Sequence, residues 1–333
     1  MAAFTRENAL IPSRTPDIDI DAWVYKPRAH NRHFPAIVLA HGFGLRKAHG
    51  LQPFAERFAE SGRIAIIFDY RHWGASGGSP RNHADYKKQR EDYKTVVEWA
   101  KKREDVDEEK VVIWGTSWSG GLVTQIASEV PKGYLAGAIA QCPATDGTAS
   151  FFMTPIPSAI RMTPYVILDS IKHYILPSSW TTPTYIPAAS APLQGGFLDQ
   201  PDCLEGFQRV QSLSSSEKED NSKCLALSPG LSVAVDGDEI AKIRASVALQ
   251  VLVTRPIDSA HKIEIPILFL IPERDSVASV PQGLKAAELA RKGRCVRYEG
   301  GHFDPYKGGK GHEESLKAAL EFLDEIAAVQ VGR

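Results

Sequence analysis

Residues 111–121, Val-Val-Ile-Trp-Gly-Thr-Ser-Trp-Ser-Gly-Gly, decide how the rest of the chain is read. Four apolar residues in a row, without alternation, describe a strand covered on both faces. They run into Gly115, a serine at 117, and a glycine pair at 120 and 121 that opens a helix. A serine on a tight strand-to-helix turn has its hydroxyl lifted above the sheet, the geometry of a nucleophile elbow. Small residues are needed two before and two after it, because neighbouring backbone crowds the turn. Gly115 meets the first demand; Ser119 stands at the second, and Gly120 and Gly121 keep the helix start thin. The helix N-terminus aims free amides and the positive end of its dipole at the same point. Ser119 is the rival nucleophile, but two positions on it falls inside the helix and has no elbow.

Outward from this stretch the pattern repeats. Upstream, DIDIDAWVY (17–25) alternates with period two, which predicts an exposed antiparallel strand. PAIVLA (35–40) and IAIIF (64–68) are continuous apolar runs, and each is followed by helical spacing: Leu51 to Ala59, stopped by Ser61-Gly62, then about Asp85 to Lys102. Downstream come LAGAIAQ (135–141), IPILFLI (265–271), a helix from about Pro281, CVRY (295–298), and a last helix carrying Leu316, Leu320, Leu323 and Ala327. Strand then helix, repeated, predicts an α/β fold: a mostly parallel sheet flanked by helices on both faces. The alternation breaks between about 144 and 260, where prolines, serines and threonines gather around a polar tract, SLSSSEKEDNSK (212–223). One apolar helix, roughly Tyr165 to Ile175, is expected inside. Residues 1–143 and 261–333 are therefore read as the core and 144–260 as an inserted cap or lid, because the sheet needs both flanks to complete itself.

A serine hydroxyl is a weak nucleophile and needs a base within reach. Of the ten histidines, His302 in YEGGHFDPY lies in the loop after the last strand, at the sheet end where such folds place their sites. His30 and His33 belong to an exposed loop, and His72, His83 and His173 lack a matching strand end. A histidine base needs an acid to hold its tautomer, and Asp275 closes IPILFLIPERD just beyond a buried strand; Glu273 and Asp304 are its rivals. The order Ser117, Asp275, His302 follows the chain. For the oxyanion hole, the backbone N–H groups of Phe43, in the loop after PAIVLA, and of Trp118 are the expected donors. His41 is expected to pack beneath that loop. FDYRHWGASGG (68–78) is read as architecture, with Asp69 paired to an arginine.

Bulk properties narrow the class. Hydrophobic residues make up 43% and charged residues 24% of the 333, and 39 basic residues against 40 acidic ones leave a formal charge of -1. Such balance favours neither nucleic acid nor an anionic membrane as partner. Cys142, Cys203, Cys224 and Cys295 show no metal-ligand spacing and suit buried thiols in a reducing compartment. Neither a metal nor a cofactor is expected. The first residues lack a secretory apolar core, and no run reaches membrane-span length, so cytoplasmic residence is the default expectation.

FDYRHWGASGG, WGTSWSGG, RPIDSAHKIEIPILFLIPERD and GGHFDPYKG together resemble the α/β-hydrolase superfamily, more narrowly its dienelactone-hydrolase-like branch, and within it the fungal polyketide thiohydrolases and acyltransferases. The resemblance implies a serine triad at Ser117, Asp275 and His302. It also implies an acyl thioester substrate, presented by an acyl carrier protein of a polyketide synthase. The acyl chain is released by hydrolysis, lactonisation or transfer to an alcohol. Residues 144–260 depart from the pattern, so chain specificity does not carry over. General carboxylic ester hydrolysis is the competing enzyme reading, and a silent hydrolase-fold binding protein the non-enzymatic one. The aromatics Phe151, Phe152, Tyr165, Tyr174, Trp180 and Tyr185 suit either a long acyl chain or glue between cap and body. Arg46 and Lys47 are candidate carrier contacts, expected in solvent.

Overall fold

The computed structural model describes residues 3–29, 33–177, 181–213 and 242–331. It opens with an antiparallel pair, β1 (Phe4–Pro12) and β2 (Asp19–Pro27). No periodicity in FTRENALIP announces β1, because an edge strand exposed at most positions needs no apolar face. β2 is antiparallel as expected but not exposed. Flanked by β1 and β4 (Ile64–Phe68), it is buried along most of its length. Its Trp23 lies under the cations of Arg6 and Lys47, 4.8 and 4.7 Å from the ring centroid.

The buried runs form the middle of the sheet. β3 (Phe34–Ala40), β5 (Val106–Thr116) and β6 (Gly137–Gln141) pair in parallel, with β4 beyond β3. Their residues are apolar on both faces because helices cover both. α1 (Gln52–Glu60) turns Phe54, Ala55, Phe58 and Ala59 inward. α2 (Tyr86–Lys101) starts where the Asp85 carboxylate accepts from the Lys87 and Lys88 amides at 3.0 Å. α3 (Trp118–Glu129) leaves the end of β5. Each fully buried Ile, Leu or Phe here contributes roughly 1.5–3 kcal/mol.

After β6 the chain leaves the sheet. It forms α4 (Gly147–Phe151), α5 (Ile156–Tyr174), a small antiparallel pair β7 (Tyr185–Pro187) and β8 (Lys242–Arg244), α6 (Cys203–Ser212), α7 (Val247–Val253), and a 3-10 helix at Pro256–Lys262. α5 begins nine residues before its expected start. Pro157 falls in its first turn, where no N–H is needed, and Pro164 sits inside on an exposed face where water can satisfy the freed carbonyl. Most of the polar tract at 212–223, and Trp180, lie outside the described residues.

The sheet resumes with β9 (Ile267–Pro272) and β10 (Gly293–Tyr298), with α8 (Val280–Leu289) between and α9 (His312–Val331) last. The eight strands stand in the order β1-β2-β4-β3-β5-β6-β9-β10. The chain crosses to opposite sides of β3 at β4 and β5, so the carboxyl ends of β3 and β5 border a crevice at the switch point. No helix among the described residues is long and apolar enough to cross a membrane.

Candidate active site

Ser117 sits between β5 and α3 at φ 54°, ψ -115°, a backbone conformation rare for a residue with a side chain. The surroundings over-determine it. Its N–H donates to Gln141 O at 2.8 Å, and its carbonyl accepts from Ala144 N at 2.9 Å. A Cβ at Gly115 would lie 2.2 Å from Ser119 O, and one at Gly120 would lie 2.9 Å from Pro143 Cα. The crowding expected two residues after the serine is therefore felt one residue later, which is why Ser119 is tolerated. Ser119 is fully buried, with its Oγ 2.7 Å from the Tyr70 hydroxyl and donating to His41 O.

His302, 2% exposed, comes from the loop after β10, and its Nε2 lies 2.8 Å from Ser117 Oγ. Its Nδ1 is 2.8 and 3.0 Å from the two oxygens of Asp275, in the loop after β9. Asp275 Oδ1 also accepts from the amides of Val277 and Ala278, at 2.8 and 2.7 Å. A carboxylate only accepts, so Nδ1 carries the ring proton and Nε2 is left to accept from the serine. Neither rival acid is positioned to do this. Glu273 is exposed, and Asp304 accepts from Gly301 N at 2.7 Å. Residues from three separated segments thus meet as the sequence anticipates.

Phe43 and Trp118 flank Ser117 in the wall of an apolar cavity of about 70 Å³, their rings edge-to-face at 5.5 Å. Trp118 is held by its Nε1, which donates to Gln89 Oε1 at 2.7 Å. Phe43 also packs on Phe197 at 4.5 Å. The remaining wall comes mostly from the segment after β6: Phe151, Met162, Leu198, Gln200, Ala248 and Val251. Of the aromatics singled out in sequence, Phe151 alone among the described residues reaches the cavity; Phe152, Tyr165 and Tyr174 are 79, 52 and 56% exposed. Met162 and Phe197 carry no sequence signal, because a wall assembled from several short segments has no period.

Several side chains differ from expectation. Lys47 is buried, not solvated: its Nζ bridges Asp21 Oδ1 at 2.6 Å and Asp69 Oδ2 at 2.8 Å. Asp69 therefore pairs with a lysine rather than an arginine, and Lys47 and His41 together hold its carboxyl below the usual range against the opposing effect of burial. Arg71 instead meets Asp92, its Nε donating to Oδ1 at 2.6 Å. His41 is buried beneath the loop, and that burial depresses its pKa. Cys142 and Cys203 are buried, Cys295 is exposed, and Cys224 lies outside the described residues.

An eight-stranded, mostly parallel sheet with these contacts at the carboxyl end of its central strands defines an α/β-hydrolase. The family model of X-Pro dipeptidyl-peptidase (S15 family) matches residues 17–185, and the chain belongs to that family of the α/β-hydrolases, as a hydrolytic enzyme. Among curated relatives, the quorum-quenching protein AidA of Acinetobacter baumannii (strain MDR-ZJ06) is 31% identical over 94% of this chain and 93% of its own length. Thiohydrolase aneE of Aspergillus aculeatus is 35% identical over 36% of this chain and 37% of its own. Polyketide transferase grgF of Penicillium sp is 36% identical over 35% of this chain and 39% of its own. The crystal structure of alpha/beta hydrolase GrgF from Penicillium sp. sh18 superposes with a TM-score of 0.71 at 22% identity, covering 97% of this chain and 99% of that one. At that identity the likeness is one of fold.

Proposed function

We propose that the protein transfers acyl groups through a covalent acyl-Ser117 intermediate, from a polyketide-type acyl thioester to water or to a hydroxyl. The observation that carries this reading is the 2.8 Å approach of His302 Nε2 to Ser117 Oγ, with Asp275 behind the imidazole. As Ser117 Oγ attacks the carbonyl, His302 Nε2 takes its proton, and Asp275 stabilises the imidazolium and fixes its tautomer. The amides of Phe43 and Trp118 receive the tetrahedral oxyanion, each contributing roughly 3 kcal/mol of barrier lowering. Collapse expels the thiol, which takes the proton from His302. The acyl-enzyme then yields to an acceptor deprotonated by the same base. Residues 144–260 act as the cap. Their apolar wall over Ser117 supports an acyl chain there, and exclusion of water by that wall would favour a hydroxyl acceptor over water. No carboxylate lines the cavity among the described residues to receive the ammonium of a peptide substrate.

Hydrolysis of small carboxylic esters is the second reading, which the same contacts among Ser117, His302 and Asp275 would serve. The silent binding-protein reading has no such support, since all three triad side chains are in hydrogen-bonded register. Stoichiometric labelling by a fluorophosphonate, lost in Ser117→Ala, is expected; folded protein that takes no label would overturn the enzymatic reading. Faster turnover of an N-acetylcysteamine thioester than of the matched simple ester separates the first reading from the second. Mass spectrometry of products from a thioester with a distal hydroxyl then distinguishes free acid from lactone.

A further inference from the structure

Gln200 is a buried polar side chain in an otherwise mainly apolar wall. It is 5% exposed and lines the cavity with Ser117, Phe197, Leu198 and Val277. Its orientation is set from one side. Cys203, at the start of α6, donates its backbone N–H to Gln200 O at 3.0 Å and its thiol to Gln200 Oε1 at 3.1 Å. Burial pushes that thiol up to about 12, so the sulfur keeps its proton and the amide oxygen is the atom that accepts it. The amide nitrogen is thereby turned away from Cys203. It has no hydrogen-bond partner among the described residues, and it is not among the buried polar atoms sealed from solvent. Two residues on, Asp202 accepts from Ser276 Oγ at 2.6 Å, and Ser276 adjoins Asp275. The segment carrying Gln200 is therefore fastened to the loop that carries Asp275.

We propose that the Gln200 amide nitrogen is a substrate-binding donor that selects acyl groups bearing an acceptor oxygen close to the reacting carbonyl. This rests on the acyl-transfer reading above. A plain chain lying over Gln200 strips the water from two N–H donors and returns nothing, whereas a ketone oxygen near the scissile bond accepts from one of them. The asymmetry between a satisfied and an unsatisfied buried donor is what makes such a group discriminate. A ketone several carbons farther from the scissile bond is beyond the reach of this amide, so a change at Gln200 leaves its partners, such as the unpaired Ser150 Oγ of α4, as they were.

The test uses N-acetylcysteamine thioesters of octanoic, 3-oxooctanoic and 7-oxooctanoic acids with wild type, Gln200→Met and Gln200→Leu. Methionine keeps the length without the donor; leucine removes the amide with a shorter apolar side chain. Relative to wild type, each variant is expected to lose about tenfold in kcat/KM on the 3-oxo substrate and less than about twofold on the other two. Fluorophosphonate labelling should be unchanged, since the triad is untouched. An equal loss on all three substrates, or no loss on any, overturns the assignment. If wild type turns over none of them, the acyl-transfer reading fails and the role of Gln200 falls with it.

Discussion

A methyl group at Gly115 would sit 2.2 Å from the Ser119 carbonyl, a collision that no side-chain rotation relieves. Gly115→Ala should therefore cost about 3 kcal/mol or more and disturb the elbow; near-normal labelling of Ser117 together with an unchanged urea midpoint would show that the turn relaxes. Ser117→Ala and His302→Ala should each remove almost all turnover, and the double variant should be no worse than either. On the proposed mechanism the two side chains share one proton transfer, so losses that multiplied would contradict it. Asp275→Asn can present its N–H to His302 Nδ1 and impose the wrong tautomer. A fall in kcat of roughly 10⁴-fold with the fold intact is expected; retained activity would move the acid role to another carboxylate.

α5 shows how an element can mislead when read by itself. Its buried face carries Ser158, Met162, Val166 and Asp169, while Ile156, Ile160, Ile167, Tyr174 and other large apolar residues face outward. An apolar stripe on a helix is normally the side that is covered, and here the anchor is polar. The Asp169 carboxylate accepts from Thr184 N at 2.8 Å, Ser246 N at 2.9 Å and Arg244 Nε at 2.9 Å, tying α5 to β8 and α7. Asp169→Ala strands a buried guanidinium and should destabilise the region by about 3–5 kcal/mol, read as faster proteolysis of the segment after β6. Asp169→Leu with Arg244→Met should recover only the part due to the stranded guanidinium, because the amides of Thr184 and Ser246 stay without their acceptor. If the single variant resists protease as wild type does, the anchor is not what holds α5.

For the whole molecule, buried histidines make stability depend on pH. Burial, aided by Arg46 for His49, by Lys88 for His72 and by Arg244 for His83, lowers their pKa values to about 3, 4 and 3 from the ordinary 6.5. His83 bridges the stack, edge-on to His72 at 5.7 Å and to His173 of α5 at 5.0 Å. Below about pH 6.5 the unfolded chain takes up protons that the native rings refuse, so the stability these histidines contribute is complete above that pH and is lost as pH falls toward their native values. The slope approaches about 1.4 kcal/mol per pH unit for each histidine. The urea midpoint should be lower at pH 5.5 than at pH 7.5, and His83→Phe should flatten the dependence; a midpoint that rises on acidification has the wrong sign for this account.

Local pattern determined the strand-helix alternation, the turn at Ser117, and the loop positions of Asp275 and His302, whose side chains meet that serine, because each follows from a period or from a strand end that short-range sequence displays. It could not show β1, which is ordered by its partner rather than by its own residues, nor the true start of α5, where prolines are tolerated by position. It could not show that Lys47 is buried between Asp21 and Asp69, or that Gln200, Met162 and Phe197 share a wall with the serine. Those facts depend on which segments the folded sheet brings side by side, and contacts between residues far apart in the chain leave no periodic trace in the sequence.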